Sequence, residues 1–320
     1  MSSVPYSVQS HRLEPMRAAV RAHAARKSVD LWQVEWFGYL YCVEGLRAKT
    51  VLSAHNIESL ICQRYAETEA NSLKRAYVRE QCRKMLAFER RSFASVARVV
   101  AVSEPDVEVG RGLFGDMPFA CVDNGVDTAY FRDQRADPAS RQILFLGALD
   151  WRPNQDAIAI LLDDIFPAVR ARVPDATLAI VGRSPAPRLV ERARAIPGVT
   201  LHANVPDVRP YMASSAMMAV PLRIGGGSRL KIIEALAARL PVVSTAIGAE
   251  GLKLEPGRDI DIADEPAAMI EAIVARLLAP SPVSEATWQT VADNYDWSIL
   301  AERLERIWIE AAGTKLARSA

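Results

Sequence analysis

Three consecutive glycines, Gly225, Gly226 and Gly227, follow the apolar run Met217–Pro221 and lead into Ser228, Arg229, Lys231 and Glu234. Glycine lets a backbone approach a ligand closely and turn without a steric penalty. Ser228 is a natural N-cap for a helix over Arg229–Ala238. A helix N-terminus presents free N–H groups and positive potential to an anion. Arg229 and Lys231 put two cations beside it, and Glu234, three residues after Lys231, shares that residue's helical face. Such a set suits a diphosphate, with a ribose diol reaching the Glu234 carboxylate. The plainer reading is a glycine-rich turn with a Lys231–Glu234 surface ion pair worth about 0.3–0.5 kcal/mol. Three glycines cost more chain entropy than such a turn needs, which favours the phosphate reading. No GK[ST] follows, so this is not a Walker A loop, and without GxGxxG nicotinamide binding has little support.

Other reactive side chains stand where strands end. His55 follows the apolar run Thr50–Ala54, and Arg183 follows Thr177–Gly182. In parallel α/β sheets ligands bind outside the carboxyl ends of the strands, so His55 faces either a ligand or a structural role, and Arg183 either a base or phosphate, a helix cap or solvent. Asp150, Trp151 and Asn154 follow Ile143–Gly147 and would face the interdomain cleft, with Asn154 read as the cap of the helix after Pro153 in preference to a catalytic group. Asn56 and Glu58 read as the cap and first turn of the next helix, and Ser103, with Asp106 three residues on, as a third cap. From Arg64 to Arg98 nine basic residues meet four acidic ones. That excess fits a solvated helix face or one resting on anionic lipid. The cysteines Cys42, Cys62, Cys82 and Cys121 are widely spaced, with no CxxC and no histidine nearby. Buried thiols of a reducing cytoplasm are expected, with neither a disulfide nor a metal site.

The elements that would position these residues follow from apolar patterning. The second half alternates β-branched runs (Ile143–Gly147, Thr177–Gly182, Val199–His202, Met217–Pro221, Pro241–Thr245, Asp259–Ile262) with helical stretches (Asn154–Arg172, Ala186–Ala195, Arg229–Ala238, Glu265–Leu278). That is the pattern of a six-stranded Rossmann-like domain. The first half offers strands at Leu31–Trp36, Thr50–Ala54, Arg98–Val102 and Phe119–Val122, with one long helical region from Ile57 to Ser95. Two or three βαβ units, roughly 60–90 residues, are missing by comparison, so an N-terminally truncated domain is expected, with Met1–Lys27 as a helical connector. The fold class is α/β: a partial domain over 1–133, a ligand-binding domain over 134–295, and a helix over 296–320 returning to the first. With 39 Lys and Arg against 38 Asp and Glu, no whole-protein field recruits nucleic acid. No apolar run is long enough to span a bilayer, and the first residues lack a signal-peptide core.

Gly225–Thr245 resembles the donor-site segment of the retaining GT-B glycosyltransferases of family 4, the "group 1" glycosyltransferases, in the branch reading G-x-G-[ST]-R-x-K-x-x-E-A-x-A followed by PVV-[SA]-T. Phe145–Ala157, Ile180–Arg183, Val205–Arg209 and Gly248–Leu252 fall in that family's order, as do His55–Glu58, Val102–Asp106 and Asn124–Asp127. The resemblance implies two Rossmann-like domains facing a cleft, the N-terminal one incomplete here. It implies transfer of a sugar from a nucleotide-diphosphate sugar to a glycan or lipid-linked hydroxyl with retention, without a cofactor; no DxD-like motif stands out, so metal independence is expected. Glu234 would hold the ribose. Arg229, Lys231 and the amides of Gly226 and Gly227 would neutralise the diphosphate, and Gly248 and Glu250 would help close the sugar and phosphate side. His55 would bind acceptor or position sugar. Where relatives carry a second acid eight residues before the glutamate, this chain has Gly226, which leaves the sugar hydroxyls without an assigned partner. Two alternatives remain open: a truncated nucleotide-sugar binder without transfer activity, and a GT-B 2-epimerase. The expected location is the cytoplasm or the inner membrane face.

Overall fold

The computed structural model describes residues 3–46, 49–69, 71–224 and 229–313. It has two compact units: one of residues up to Asn124 together with those from Leu300 onward, the other Gly125–Ile299. Both are α/β, with all-parallel sheets.

In the first unit β1 (Trp32–Val34), β2 (Thr50–Ala54), β3 (Arg98–Ala101) and β4 (Phe119–Cys121) lie side by side in sequence order. Successive strand residues point to opposite faces. Leu52 and Val99 therefore pack with Phe37, Phe93 and Phe114 on one side. Val51, Val100 and Val122 meet Leu300, Leu304, Ile307 and Trp308, from the helix Trp297–Ala312, on the other. The expected single helical region from Ile57 to Ser95 is two helices, Glu58–Thr68 and Ser72–Phe93. The break has a local cause: the Asn71 side chain accepts from the Lys74 amide at 3.0 Å, and Glu69 accepts from the Asn71 amide at 3.1 Å. Folding back brings Cys62 and Cys82 together as a disulfide with Cα atoms 5.4 Å apart, which corrects the expectation of free thiols. Cys42 and Cys121 are free.

The start of the first of these helices also departs from expectation. Asn56 does not cap it; Ile57 is the N-cap residue and contributes no side-chain bond, while Glu58 stands in the first turn as expected. The cap comes from the second helix, where the fully buried Glu89 accepts from the Glu58 amide at 2.7 Å and the Ser59 amide at 3.0 Å. Burial pushes the Glu89 carboxyl up to about 7, against the lowering effect of those amides. The native state then holds a proton that the unfolded chain releases between pH 4.5 and about 7, so this group's contribution falls as pH rises through that window. Burial also raises Glu58, which adds in the same sense. Thermal melts of Glu89→Gln should show a flatter fall of Tm over that window than the wild type; parallel curves would contradict the assignment. Ser103 does cap the helix Glu104–Phe114, accepting from the Asp106 amide at 3.2 Å.

The second unit has the six expected strands: β5 (Gln142–Leu146), β6 (Thr177–Gly182), β7 (Val199–Ala203), β8 (Met217–Val220), β9 (Val242–Ser244) and β10 (Asp261–Ile262), in the order β10-β9-β8-β5-β6-β7. The four central strands are almost wholly buried, as the unbroken apolar runs require. The helical run after β5 is interrupted by one wide turn, with α-helix over Arg152–Ile160, π-type bonding over Leu161–Ile165 and α-helix again over Phe166–Arg172. Strand order reverses between β5 and β8. At such a switch point the loops after the two strands diverge and leave a crevice.

Candidate active site

The loops after β5, β6, β8 and β9 build the site. Gly147 follows β5 and Gly182 ends β6. The Gly147 amide donates to the Val181 carbonyl at 3.1 Å, and the Leu149 amide to the Arg183 carbonyl at 2.9 Å, so the two strand ends stay zipped beyond the sheet. A Cβ on Gly182 would fall inside the Gly147 carbonyl oxygen. A Cβ on Gly147 would lie 2.6 Å from Asn154 Nδ2 and 2.9 Å from Lys231 Nζ. The absent side chain at Gly147 is thus the space into which the lysine reaches.

Lys231 lies in the first turn of the helix Leu230–Ala237. Its Nζ donates to Asn154 Oδ1 at 2.8 Å and stands 4.9 Å above the centre of the Phe145 ring. Burial is the main cause that lowers its ammonium to about 8; the Arg229 charge pushes the same way and Glu234 opposes. Glu234, half-buried one turn on, is raised by burial against the pull of Lys231. The lysine's hydrogen bond goes to Asn154 rather than to Glu234, which removes the plain surface-pair reading. Asn154 is 2% exposed and does not cap its helix, contrary to expectation; its Nδ2 donates to the Ala148 carbonyl at 2.8 Å.

Arg229, just before that helix, is buried and pairs with Glu250 through Nη2 and Oε2 at 2.9 Å. Glu250 follows the short helix Ala246–Ala249, whose cap is Thr245: its Oγ1 accepts from the Gly248 amide at 2.9 Å and donates to the Leu222 carbonyl at 2.5 Å. A Cβ on Gly248 would collide with the Ser244 hydroxyl, so glycine is needed for that close approach. Arg183 is exposed at the end of β6. Gly225, Gly226, Gly227 and Ser228 lie outside the described residues. The expected Ser228 cap is therefore outside them too, and the helix they precede begins at Leu230.

Lys231, Arg229, Glu234, Gly248 and Glu250 thus share the carboxyl-end loops of one sheet. His55 belongs to the first unit, where it follows β2; its Nε2 lies 3.2 Å from Glu35 Oε2, just beyond the neighbouring β1. Gly147, Gly182, Phe145 and the bridging part of Asn154 were not singled out as site residues in the sequence, although glycines closing two strands were the available signal. The bidentate pair of Arg223 with Asp156, at 3.0 and 2.6 Å, is a further tie between the stretch after β8 and the helix after β5.

Residues 140–279 match the family described as Glycosyl transferases group 1. Phosphatidyl-myo-inositol mannosyltransferase of Mycobacterium tuberculosis is 30% identical over 209 residues, covering 60% of this chain and 54% of its own length. The protein of that name from Mycolicibacterium smegmatis is 29% identical over 210 residues, 61% of this chain and 53% of its own. The chain thus spans about half the length of these relatives. Among solved structures, a sucrose-phosphate synthase from Thermosynechococcus elongatus superposes with a TM-score of 0.70 at 17% identity, over 93% of this chain and 77% of the other. A glycosyltransferase from Rickettsia africae gives 0.66 at 15%, over 97% and 83%. At these identities the structural likeness establishes the fold, that of the GT-B glycosyltransferases.

Proposed function

We propose that this chain, whose residues 140–279 match the group 1 glycosyltransferases, transfers a sugar from a nucleotide-diphosphate sugar to a hydroxyl of a glycan or lipid-linked acceptor, with retention and without a metal. The supporting observation is the convergence of Lys231, Arg229 and Glu234 on the crevice after β5 and β8, with Gly147 leaving room for the lysine. As the bond from the anomeric carbon to the phosphate oxygen lengthens, negative charge builds on the β-phosphate. Preorganised cations in a water-poor site stabilise that charge most. Lys231 and Arg229 supply them, the Glu250 carboxylate giving up Arg229 to the diphosphate. The acceptor oxygen bonds the same face of the anomeric carbon, and its proton passes to the departing phosphate oxygen. Glu234 accepts from the ribose hydroxyls, and Arg183 contacts base or phosphate. Gly248 brings backbone to the sugar side, and Glu250, once released, turns to the sugar. His55, in the first unit, binds acceptor. No cofactor is required.

Two of the relatives named above are phosphatidyl-myo-inositol mannosyltransferases, which supports a lipid-linked acceptor here. Peripheral contact with anionic membrane is part of the proposal. Ile61, Tyr65, Leu73 and Tyr77 are exposed on the helical hairpin, and exposed Arg64, Lys74, Arg79 and Arg83 interleave with them. No described helix is long and apolar enough to cross a membrane. Vesicles of anionic lipid should sediment the chain and neutral ones should not; equal partitioning would refute the contact. The test of the donor site is thermal shift with UDP-, GDP- and ADP-sugars, since a ligand of the native state raises Tm by mass action. One set should stabilise the chain, and no response to any of them at millimolar concentration would refute it.

A further inference from the structure

A lysine ammonium is a mobile point charge on a flexible four-carbon stem. Here it is largely removed from water, so its aim has to come from its neighbours. Among the described residues three elements face it: β5 through the Phe145 ring, the helix Arg152–Ile160 through Asn154, and its own segment through Arg229 and Glu234. Of these, only Asn154 offers a neutral acceptor at hydrogen-bonding distance.

The orientation of that amide is determined. The Ala148 carbonyl can only accept, so Nδ2 must face it; Nζ can only donate, so Oδ1 must face the lysine. We propose that Asn154 is the positioning residue of the donor site, its buried amide anchored on Ala148 and holding the Lys231 ammonium toward the crevice where the diphosphate binds. This rests on the donor reading above. A neutral amide suits the task because it fixes the ammonium without cancelling its charge. An aspartate there would neutralise the cation and repel the phosphates. One of the three Nζ protons goes to Asn154, which leaves donor capacity for phosphate oxygens. The amide also constrains β5: a side chain at Gly147 would displace Asn154 and Lys231 together.

The test combines two measurements on the full chain. The first is the titration of Lys231 by NMR with lysine labelled at the ε-carbon. The second is the affinity for UDP, GDP and ADP by calorimetry across pH 6.5–9.5. Wild-type Lys231 should titrate near 8, and the affinity should fall above that pH as the ammonium loses its proton. Asn154→Ala removes the acceptor, so the midpoint and the alkaline limb should move down and affinity at neutral pH should drop about ten- to a hundredfold. Asn154→Asp should move midpoint and limb up while also weakening the diphosphate at least about tenfold. Opposite shifts of one limb are not produced by simple loss of packing. Asn154→Ser, which retains a small hydroxyl, should fall between wild type and alanine and serves if the other two fold poorly. Unshifted titrations with affinities within twofold of wild type would overturn the proposal. A wild-type chain that binds none of the three diphosphates would overturn the donor reading, and with it the purpose assigned to Asn154, even where the titrations move.

Discussion

Lys231→Ala is expected to weaken nucleoside diphosphate binding, or turnover, by at least about an order of magnitude, because it removes the cation that meets the developing charge. The same substitution has a signature in stability. Native Lys231 sits near 8 against an ordinary 10.5, so between those values the unfolded chain holds a proton that the folded chain has lost. Stability from this group therefore rises with pH across that window, where it relieves the burial of a charge. The alanine variant should lose that rise even if the void left by the side chain lowers Tm overall. Calorimetric titration and denaturant melts at pH 7 and 9.5 read both effects. Unaltered diphosphate affinity would remove Lys231 from the site.

Gly182→Ala is expected to destabilise the second unit by about 3 kcal/mol or more, as overpacking against main chain has no side chain to yield. The new methyl would lie 1.8 Å from the Gly147 carbonyl oxygen, so β5 and β6 would have to separate at the end where they are zipped. Gly147→Ala should behave differently. Its methyl meets the ends of two side chains, Asn154 and Lys231, which can swing away, so the fold should persist while diphosphate binding is lost. Urea melts of both variants separate the two cases. A Gly182→Ala chain melting with the wild type would show that the ends of β5 and β6 yield to a methyl group.

Much of this is readable in the residue order. The four central strands of the second unit lie in apolar runs to within one residue, because strands buried on both faces must be apolar at consecutive positions. The helical hairpin was only half readable: Glu58–Thr68 and Ser72–Phe93 are both amphipathic, and the break between them rests on two side-chain bonds to backbone amides that no periodicity reports. Ser103 was legible as a cap because its partner is three residues away, whereas the Glu89 cap comes from the next helix.

The amino-acid sequence by itself determined the α/β alternation, the resemblance to glycosyltransferases, and which short segment carries the cations, since these depend on residue type and on neighbours within a few positions. Tertiary structure alone decided that Lys231 meets Asn154 from 77 residues away, that Glu89 caps Ser59 from 30 away, and that Cys62 bonds Cys82 from 20 away. Such partners are chosen by strand order and by how a crossover folds back. Local propensity encodes neither, and burial then lowers the Lys231 ammonium and raises the Glu89 carboxyl.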